Sequence, residues 1–309
     1  MDYTVQSLVS AKRNSVRRRR LTEALWGYIF LFPQLLGLLA FSLVPLVTVF
    51  YLSSVKWDGL GPIQFVGLQN FIEQFAPDSD LRIALINTSY YVLITVPGGI
   101  ILALLIALGL NKVRGKTLYR VLYFMPYITS GVAVSVIWLW LLNGDFGLIN
   151  TLLRVWLHIQ GPSWLTDQRF VIPSIAVVSI WQGLGFNMVV LLAGLRNIPA
   201  TYAEAARVDG ANRLQLFWRV TLPLLSPIVF LVTVLSIIGS LQVFDQVFIL
   251  TGGGPGKDSY TMVYHIYHQA FVEFQFGSAS ASAVILFVLI LLLTLIQFAL
   301  RKRWVYYES

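Results

Sequence analysis

Gln182 and Phe186 stand four residues apart in an otherwise apolar run, with Gly183 and Asn187 beside them. Ser236 and Ser240 repeat that interval in a later run, with Gly239 on the same side. Residues at i and i+4 share one face of a helix, so the first pair presents a polar and aromatic surface and the second a polar one. Amides and hydroxyls can hydrogen-bond the hydroxyls of a polyol, while an aromatic ring packs against the apolar face of a sugar. Polar groups in apolar helices also bond neighbouring helices together, and both roles stay open for each residue. Asp245 is the one acid inside an apolar run, near enough to its end to reach water or Gln242 and Gln246.

A second group of residues is built for contact. Thr201 to Pro223 is polar and patterned, although it lies between two long apolar stretches. Pro199 suits a helix start, where a missing N–H is harmless. Thr201 to Asp209 then reads as about two to three helical turns, with Ala205 and Ala206 directly after Glu204. Gly210 follows where a left-handed C-terminal residue is expected. A second amphipathic turn, with Leu214, Phe217 and Trp218, leads into Leu222-Pro223. A connecting loop so ordered reads as a docking element.

Reactive chemistry is scarce. No nucleophile stands with a base in a pattern that marks an enzyme. His158, His265 and His268 occur without Asp or Cys at ligand spacing, so neither they nor the His265/Glu273 neighbourhood reads as a metal site. The chain has no cysteine, which excludes disulfides and thiolate metal sites. Gly252 to Lys257 imitates a phosphate loop, but Thr251 and Asp258 replace the glycine and the hydroxyl residue that a Walker loop needs.

The elements that must carry these residues follow from composition. The chain has 309 residues, 57% hydrophobic and only 12% charged, with a mean hydropathy of +0.74. A soluble domain carries about a quarter charged residues, so this is an integral membrane protein. Runs of roughly 20 apolar residues span a bilayer as helices. Six such runs occur, near Trp26–Leu52, Ala84–Leu110, Leu118–Leu142, Phe170–Gly194, Leu222–Leu250 and Ala281–Leu300. They are continuous rather than alternating, which excludes a barrel. Pro97-Gly98-Gly99, Pro126, Gly183 and Gly185 lie within them and predict kinks. Pro33 and Pro45 in the first run, with no small-residue cleavage site after it, read as a retained helix rather than a signal peptide.

Basic residues orient the spans. With the N-terminus inside, the inner segments hold Lys12, Arg13, Arg17 to Arg20, Lys112, Arg114, Lys116, Arg120, Arg196, Arg207, Arg213, Arg219, Arg301, Lys302 and Arg303, which is 17 of 22. The net charge of +8 is thereby an orientation signal and an attraction to anionic headgroups; nucleic acid is not implied. Residues 1–25 form a basic cytoplasmic tail. Three outer connections, 53–83, 143–169 and 251–280, carry amphipathic stretches (Leu152, Leu153, Trp156 and Ile159; Met262, Ile266 and Tyr267) that read as interfacial helices.

Glu204-Ala205-Ala206, Asp209-Gly210, Val220 and Leu222-Pro223 stand at the spacing of the signature of permease subunits in ATP-binding-cassette (ABC) importers, and the chain resembles that family over about residues 25–303. Phe65-Val66-Gly67-Leu68 with Asn70-Phe71, and Thr251-Gly252-Gly253-Gly254-Pro255, resemble its carbohydrate branch, of maltose and oligosaccharide type. The resemblance implies an all-α fold of type I, with six transmembrane helices, both termini cytoplasmic and a permease domain over 26–303. It implies a coupling helix at about 199–212, with Glu204, Ala205, Ala206, Asp209 and Gly210 seated in a cleft of a cytoplasmic ATPase. Ala205 and Ala206 would allow close approach, Glu204 would meet a basic or hydrogen-bonding partner, and Gly210 would permit the turn. The bland reading of Glu204 is a surface pair with Arg207, worth only a few tenths of a kcal/mol.

Further implications are a second similar permease, two ATPases that bind ATP-Mg, an external solute-binding protein and a sugar substrate. The chain itself then needs no cofactor and is not an enzyme. Spans four and five would line the path, with Gln182, Gly183, Phe186, Asn187, Ser236, Ser240 and Asp245 as the contacts. The location implied is the bacterial inner membrane. The alternatives are the same architecture importing glycerol phosphate or a polyamine, and a non-transport membrane scaffold or enzyme.

Overall fold

The structure is a computed structural model and describes residues 22–111, 113 and 115–305. The basic tail expected over 1–25 therefore lies outside the described residues as far as residue 21, as do Lys112 and Arg114. Contacts divide the chain into two units, residues 1–52 and residues 53–309.

The first unit contains helix α1, Thr22–Leu52, whose apolar window has no buried residue. Thirty-one residues at 1.5 Å each make about 46 Å, more than a hydrocarbon core of about 30 Å. Pro45 cannot donate a backbone bond. The helix accommodates it with a π turn at Leu39–Leu43, where Val44 N–H reaches back to the Leu39 carbonyl.

The second unit opens with a short antiparallel pair, β1 (Val55–Lys56) and β2 (Gln64–Phe65), in which Val55 faces Phe65. Helix α2 (Gln69–Gln74) follows, then the long α3 (Leu81–Asn111). The third apolar run becomes two helices, α4 (Lys116–Ile128) and α5 (Gly131–Leu141), bent by 94°. Next come α6 (Leu148–Leu157), α7 (Val171–Asn197) and α8 (Ala200–Val208). Helix α9 (Arg213–Leu241), α10 (Asp245–Leu250), α11 (Met262–Tyr267) and α12 (Phe276–Trp304) complete it.

Two expected spans are corrected. The run Leu118–Leu142 does not form one straight helix. Pro126 removes a backbone donor, Thr129 turns its hydroxyl back onto the Met125 carbonyl at 2.9 Å, and Thr129 and Ser130 take extended backbone. The run Leu222–Leu250 starts earlier, at Arg213, and stops at Leu241. Gln242 N–H closes onto the Gly239 carbonyl, the chain breaks over 242–244, and α10 begins again at Asp245. Hydropathy is blind to both breaks because the residues around them stay apolar. Among the described residues, five helices are long and apolar enough to cross a membrane, or six with the bent pair counted as one span. By contrast α3 runs unbroken through Pro97.

Helices α3 and α7 form the most extensive interface of the bundle, which small residues allow. Ala103 and Ala107 are fully buried among Met188, Leu191 and Leu192. Helix α4 meets α7 at Gly185, where a Cβ would run into the Tyr123 carbonyl. Small residues at such crossings let backbones approach where lipid offers no hydrophobic drive. Helix α9 repeats the device of α1: a π turn at Phe217–Thr221 directly precedes Pro223, with Leu222 N–H on the Phe217 carbonyl.

The three long connections are firmly built. Asn70 is buried and donates to the Ser53 and Val55 carbonyls at 2.8 and 2.9 Å, so the Phe65–Phe71 motif fixes the hairpin against α2. Gly252 and Gly253 have positive φ, and Thr251 and Ser259 hydroxyls bond across the turn at 2.7 Å. Lys257 is engaged with Asp80 and its carbonyl with Asn87, so the loop is a structural turn. Helix α6 keeps the expected exposed apolar face, with Trp156 77% exposed. Helix α11 does not lie on the surface as expected: Met262 and His265 are buried, and Met262 packs with Leu81, Leu241 and Leu286. Its apolar face is covered by protein because α3, α9 and α12 converge there.

Candidate functional site: a polar cavity and an exposed elbow

The elbow is a pair of short helices. Pro199 caps α8 at its start, and Asp209 and Gly210 end it, with Gly210 at φ +80°, the left-handed residue expected. Ala211 N–H bonds the Ala206 carbonyl at 2.9 Å. Asn212 then opens α9 with a capping box, its side chain accepting from Gln215 N–H while the Gln215 side chain accepts from Asn212 N–H. The turn is therefore fixed by local chemistry at both ends. Nothing in α8 is buried. Val208 is 88% exposed, Leu214 67% and Trp218 59%, a concentration of apolar groups on a segment otherwise polar. Glu204 is exposed and makes no ion pair among the described residues, with Arg207 or any other group.

The cavity lies between α3, α4, α7, α9 and α10 and measures about 680 Å³, within the range of small-molecule sites. Gln182, Gly183, Phe186 and Asn187 of α7, Ser236 and Ser240 of α9, and Asp245 of α10 all line it. Gln246 donates to the Gln182 side-chain oxygen at 2.9 Å, and Gln182 in turn reaches the Thr129 carbonyl at 3.5 Å. Thr95 and Ser240 hydroxyls are hydrogen-bonded at 3.2 Å. Phe186 stacks on Tyr127 with ring centres 5.0 Å apart and planes 21° apart. Hydroxyls, amides and a flat aromatic pair thus share one space.

Asp245 differs from its expected setting. It opens a separate helix, and its carboxylate bonds neither Gln242 nor Gln246. Instead it lies against Gly131, where a Cβ would come within 2.7 Å of Oδ2. The breaks at 129–130 and 242–244 therefore meet at the cavity wall.

Sequence reasoning missed the cavity residues that come from outside spans four and five. Tyr91, Thr95, Tyr127 and Thr129 also line it. Thr95 and Tyr91 fall four residues apart, the same signal that located Gln182, so a search of the second run would have found them. Tyr127 and Thr129 sit at a break that hydropathy does not reveal. His265 is buried in a polar network with Gln74, while His268 meets Glu273 at 3.1 Å.

Residues 96–306 match the family described as the binding-protein-dependent transport system inner membrane component. The chain belongs to that family. As a member it is a transport permease and not itself an enzyme. It is 38% identical over 302 residues to the probable ABC transporter permease protein YesP of Bacillus subtilis (strain 168), covering 96% of each. It is 33% identical over 287 residues to the multiple sugar-binding transport system permease protein MsmF of Streptococcus mutans, covering 92% of this chain and 98% of that one. The sn-glycerol-3-phosphate transport system permease protein UgpA of Agrobacterium fabrum is 32% identical over 285 residues, with 91% and 96% covered. A chain of a bacterial alginate ABC transporter, solved in complex with an alginate pentasaccharide-bound periplasmic protein, superposes with a TM-score of 0.80 at 23% identity, over 92% of this chain and 96% of that one. The permease therefore has the fold of an ABC importer subunit.

Proposed function

We propose that this permease is the membrane subunit of an ATP-driven importer of sugars or oligosaccharides in the bacterial inner membrane, with both ends in the cytoplasm. It pairs with a second, similar permease, two cytoplasmic ATPases carrying ATP-Mg, and an external solute-binding protein. The observation that carries the reading is the convergence of α7, α9 and α10 on one polar, aromatic-lined cavity. The sugar-transport relatives and the periplasmic protein in the alginate complex support it.

Helix α8 and the turn at Gly210 are the coupling helix. Its exposed Glu204, with Ala205 and Ala206 beside it, seats in the ATPase, and Val208, Leu214 and Trp218 lose their exposure there. Movement of the ATPases pulls on α7 at Asn197 and on α9 at Arg213, because the elbow joins these two helices directly. The cavity then alternates between the two sides of the membrane. Gln182, Asn187, Ser236 and Ser240 supply hydrogen bonds to sugar hydroxyls, and Phe186 supplies a ring face. The binding protein provides most of the recognition, so the cavity needs no high affinity.

Reconstitution of the complete complex tests this. Glu204→Lys, or Gly210→Pro at a backbone angle proline cannot adopt, is expected to leave the subunit inserted while uptake falls at least about tenfold per ATP hydrolysed, or about 1.4 kcal/mol of lost coupling. Normal transport by both variants removes the coupling assignment.

A further inference from the structure

Among the described residues, the cavity is lined by an acid with no basic side chain beside it. Its lining contains Asp245 and no Lys, Arg or His. Asp245 is exposed to that space and makes no hydrogen bond or ion pair among the described residues. The nearest favourable dipole is the N-terminus of α5 at Gly131, against which Oδ2 lies. A helix N-terminus is equivalent to about half a charge at most, so it offsets the carboxylate only in part. Clefts lined by one sign of charge with low-dielectric walls focus the field and concentrate counter-ions by roughly ten- to a thousandfold. A wall of lipid-embedded helices is such a surround.

We infer that Asp245 makes the cavity a charge filter that admits neutral and cationic solutes, such as sugars and amino sugars, and rejects anionic ones, such as sugar phosphates and uronates. The inference rests on the pathway reading above and narrows it. Asp245 acts as a specificity-determining residue: its carboxylate repels a phosphate or a second carboxylate, and it accepts hydrogen bonds from hydroxyl or ammonium groups. A phosphate ester would call for a basic or bidentate donor, and this lining supplies none. Relatives that serve glycerol phosphate share about a third of the sequence, so a difference of this kind lies within what the family's divergence allows.

The absence of cysteine makes a direct test possible. Gly183 and Gly239 line the cavity, and a Cβ at either meets nothing within 4 Å, so Gly183→Cys and Gly239→Cys fit without displacement. In the complete complex, each thiol is reacted with a trimethylammonium-ethyl and a sulfonatoethyl methanethiosulfonate. Each rate is divided by that for free 2-mercaptoethanol. The normalised preference for the cationic reagent is expected to be about tenfold or more. It should collapse towards one in Asp245→Asn and return in Asp245→Glu. Equal rates with Asp245 present, or a preference unchanged in Asp245→Asn, overturn the filter while leaving the pathway intact. If neither reagent reaches either thiol, the cavity is closed to water, and the pathway reading falls together with the filter.

Discussion

Residues here gain their roles from what surrounds them, and His265 is the sharpest instance. It is 2% exposed. Its Nε2 donates to the Gln74 side-chain oxygen at 3.1 Å, Gln74 donates to Ser278 at 2.7 Å, and Ser282 donates to Gln269 at 2.7 Å. Among the described residues His265 Nδ1 has no hydrogen-bond partner, so a second proton there would be buried and unpaired. Burial holds its pKa down to about 4, against a smaller opposing pull from Asp80, while His268 and Lys257 lower it further. A depressed histidine binds fewer protons folded than unfolded, so stability is present above its unfolded pKa and is lost as pH falls below it. Between pH 7.5 and 5.5 the loss is about 1 kcal/mol. Thermal unfolding of the detergent-solubilised subunit should drop over that interval, and His265→Gln, which keeps a donor without titrating, should flatten the drop. An equal drop in both proteins would assign the pH effect elsewhere.

At the scale of elements, the crossing of α4 and α7 depends on one missing side chain. Gly183 and Gly185 lie two residues apart on α7, yet only Gly185 faces the backbone of α4. Gly185→Val forces a side chain into the Tyr123 carbonyl, and overpacking of this kind costs about 1–3 kcal/mol or more. Gly183→Ala should be nearly silent because its Cβ points into open space. Comparison of the yield and unfolding temperature of the two variants checks this, and similar behaviour would refute the packing account. The prolines illustrate a different rule. Pro97 and Pro227 sit inside continuous helices, Pro45 and Pro223 follow π turns, and Pro126 lies just before a full break. What decides the outcome is whether the neighbouring backbone finds other partners, which the residue type alone does not settle.

For the whole molecule, sidedness and assembly are the measurable consequences. Val208→Cys, on the exposed face of the elbow, should react with a membrane-impermeant thiol reagent only when the cytoplasmic side is accessible. Binding of the ATPase should slow that reaction by about tenfold or more, because a seated hot-spot position is desolvated. Labelling from outside, or labelling indifferent to the ATPase, would remove the elbow from the coupling interface. Trp156→Cys on α6 should react from the opposite side, since α6 follows the third span within a few residues.

The sequence by itself determined the class of this protein, its approximate spans and the helix–turn–helix elbow between Pro199 and Pro223. Continuous apolar runs, skewed basic residues and the pattern from Pro199 to Pro223 act locally, through hydropathy, backbone angles and caps. The positions of Gln182, Phe186, Ser236 and Ser240 on polar faces were also legible, because four-residue spacing is a local property. Tertiary structure alone decided that those faces meet in one cavity with Tyr127 and Thr95. It also decided that the third and fifth runs break, that Asp245 makes no hydrogen bond or ion pair among the described residues, and that His265 is buried between the long connections. These outcomes depend on which groups from distant parts of the chain arrive beside one another, and periodicity along a single helix carries no record of its neighbours.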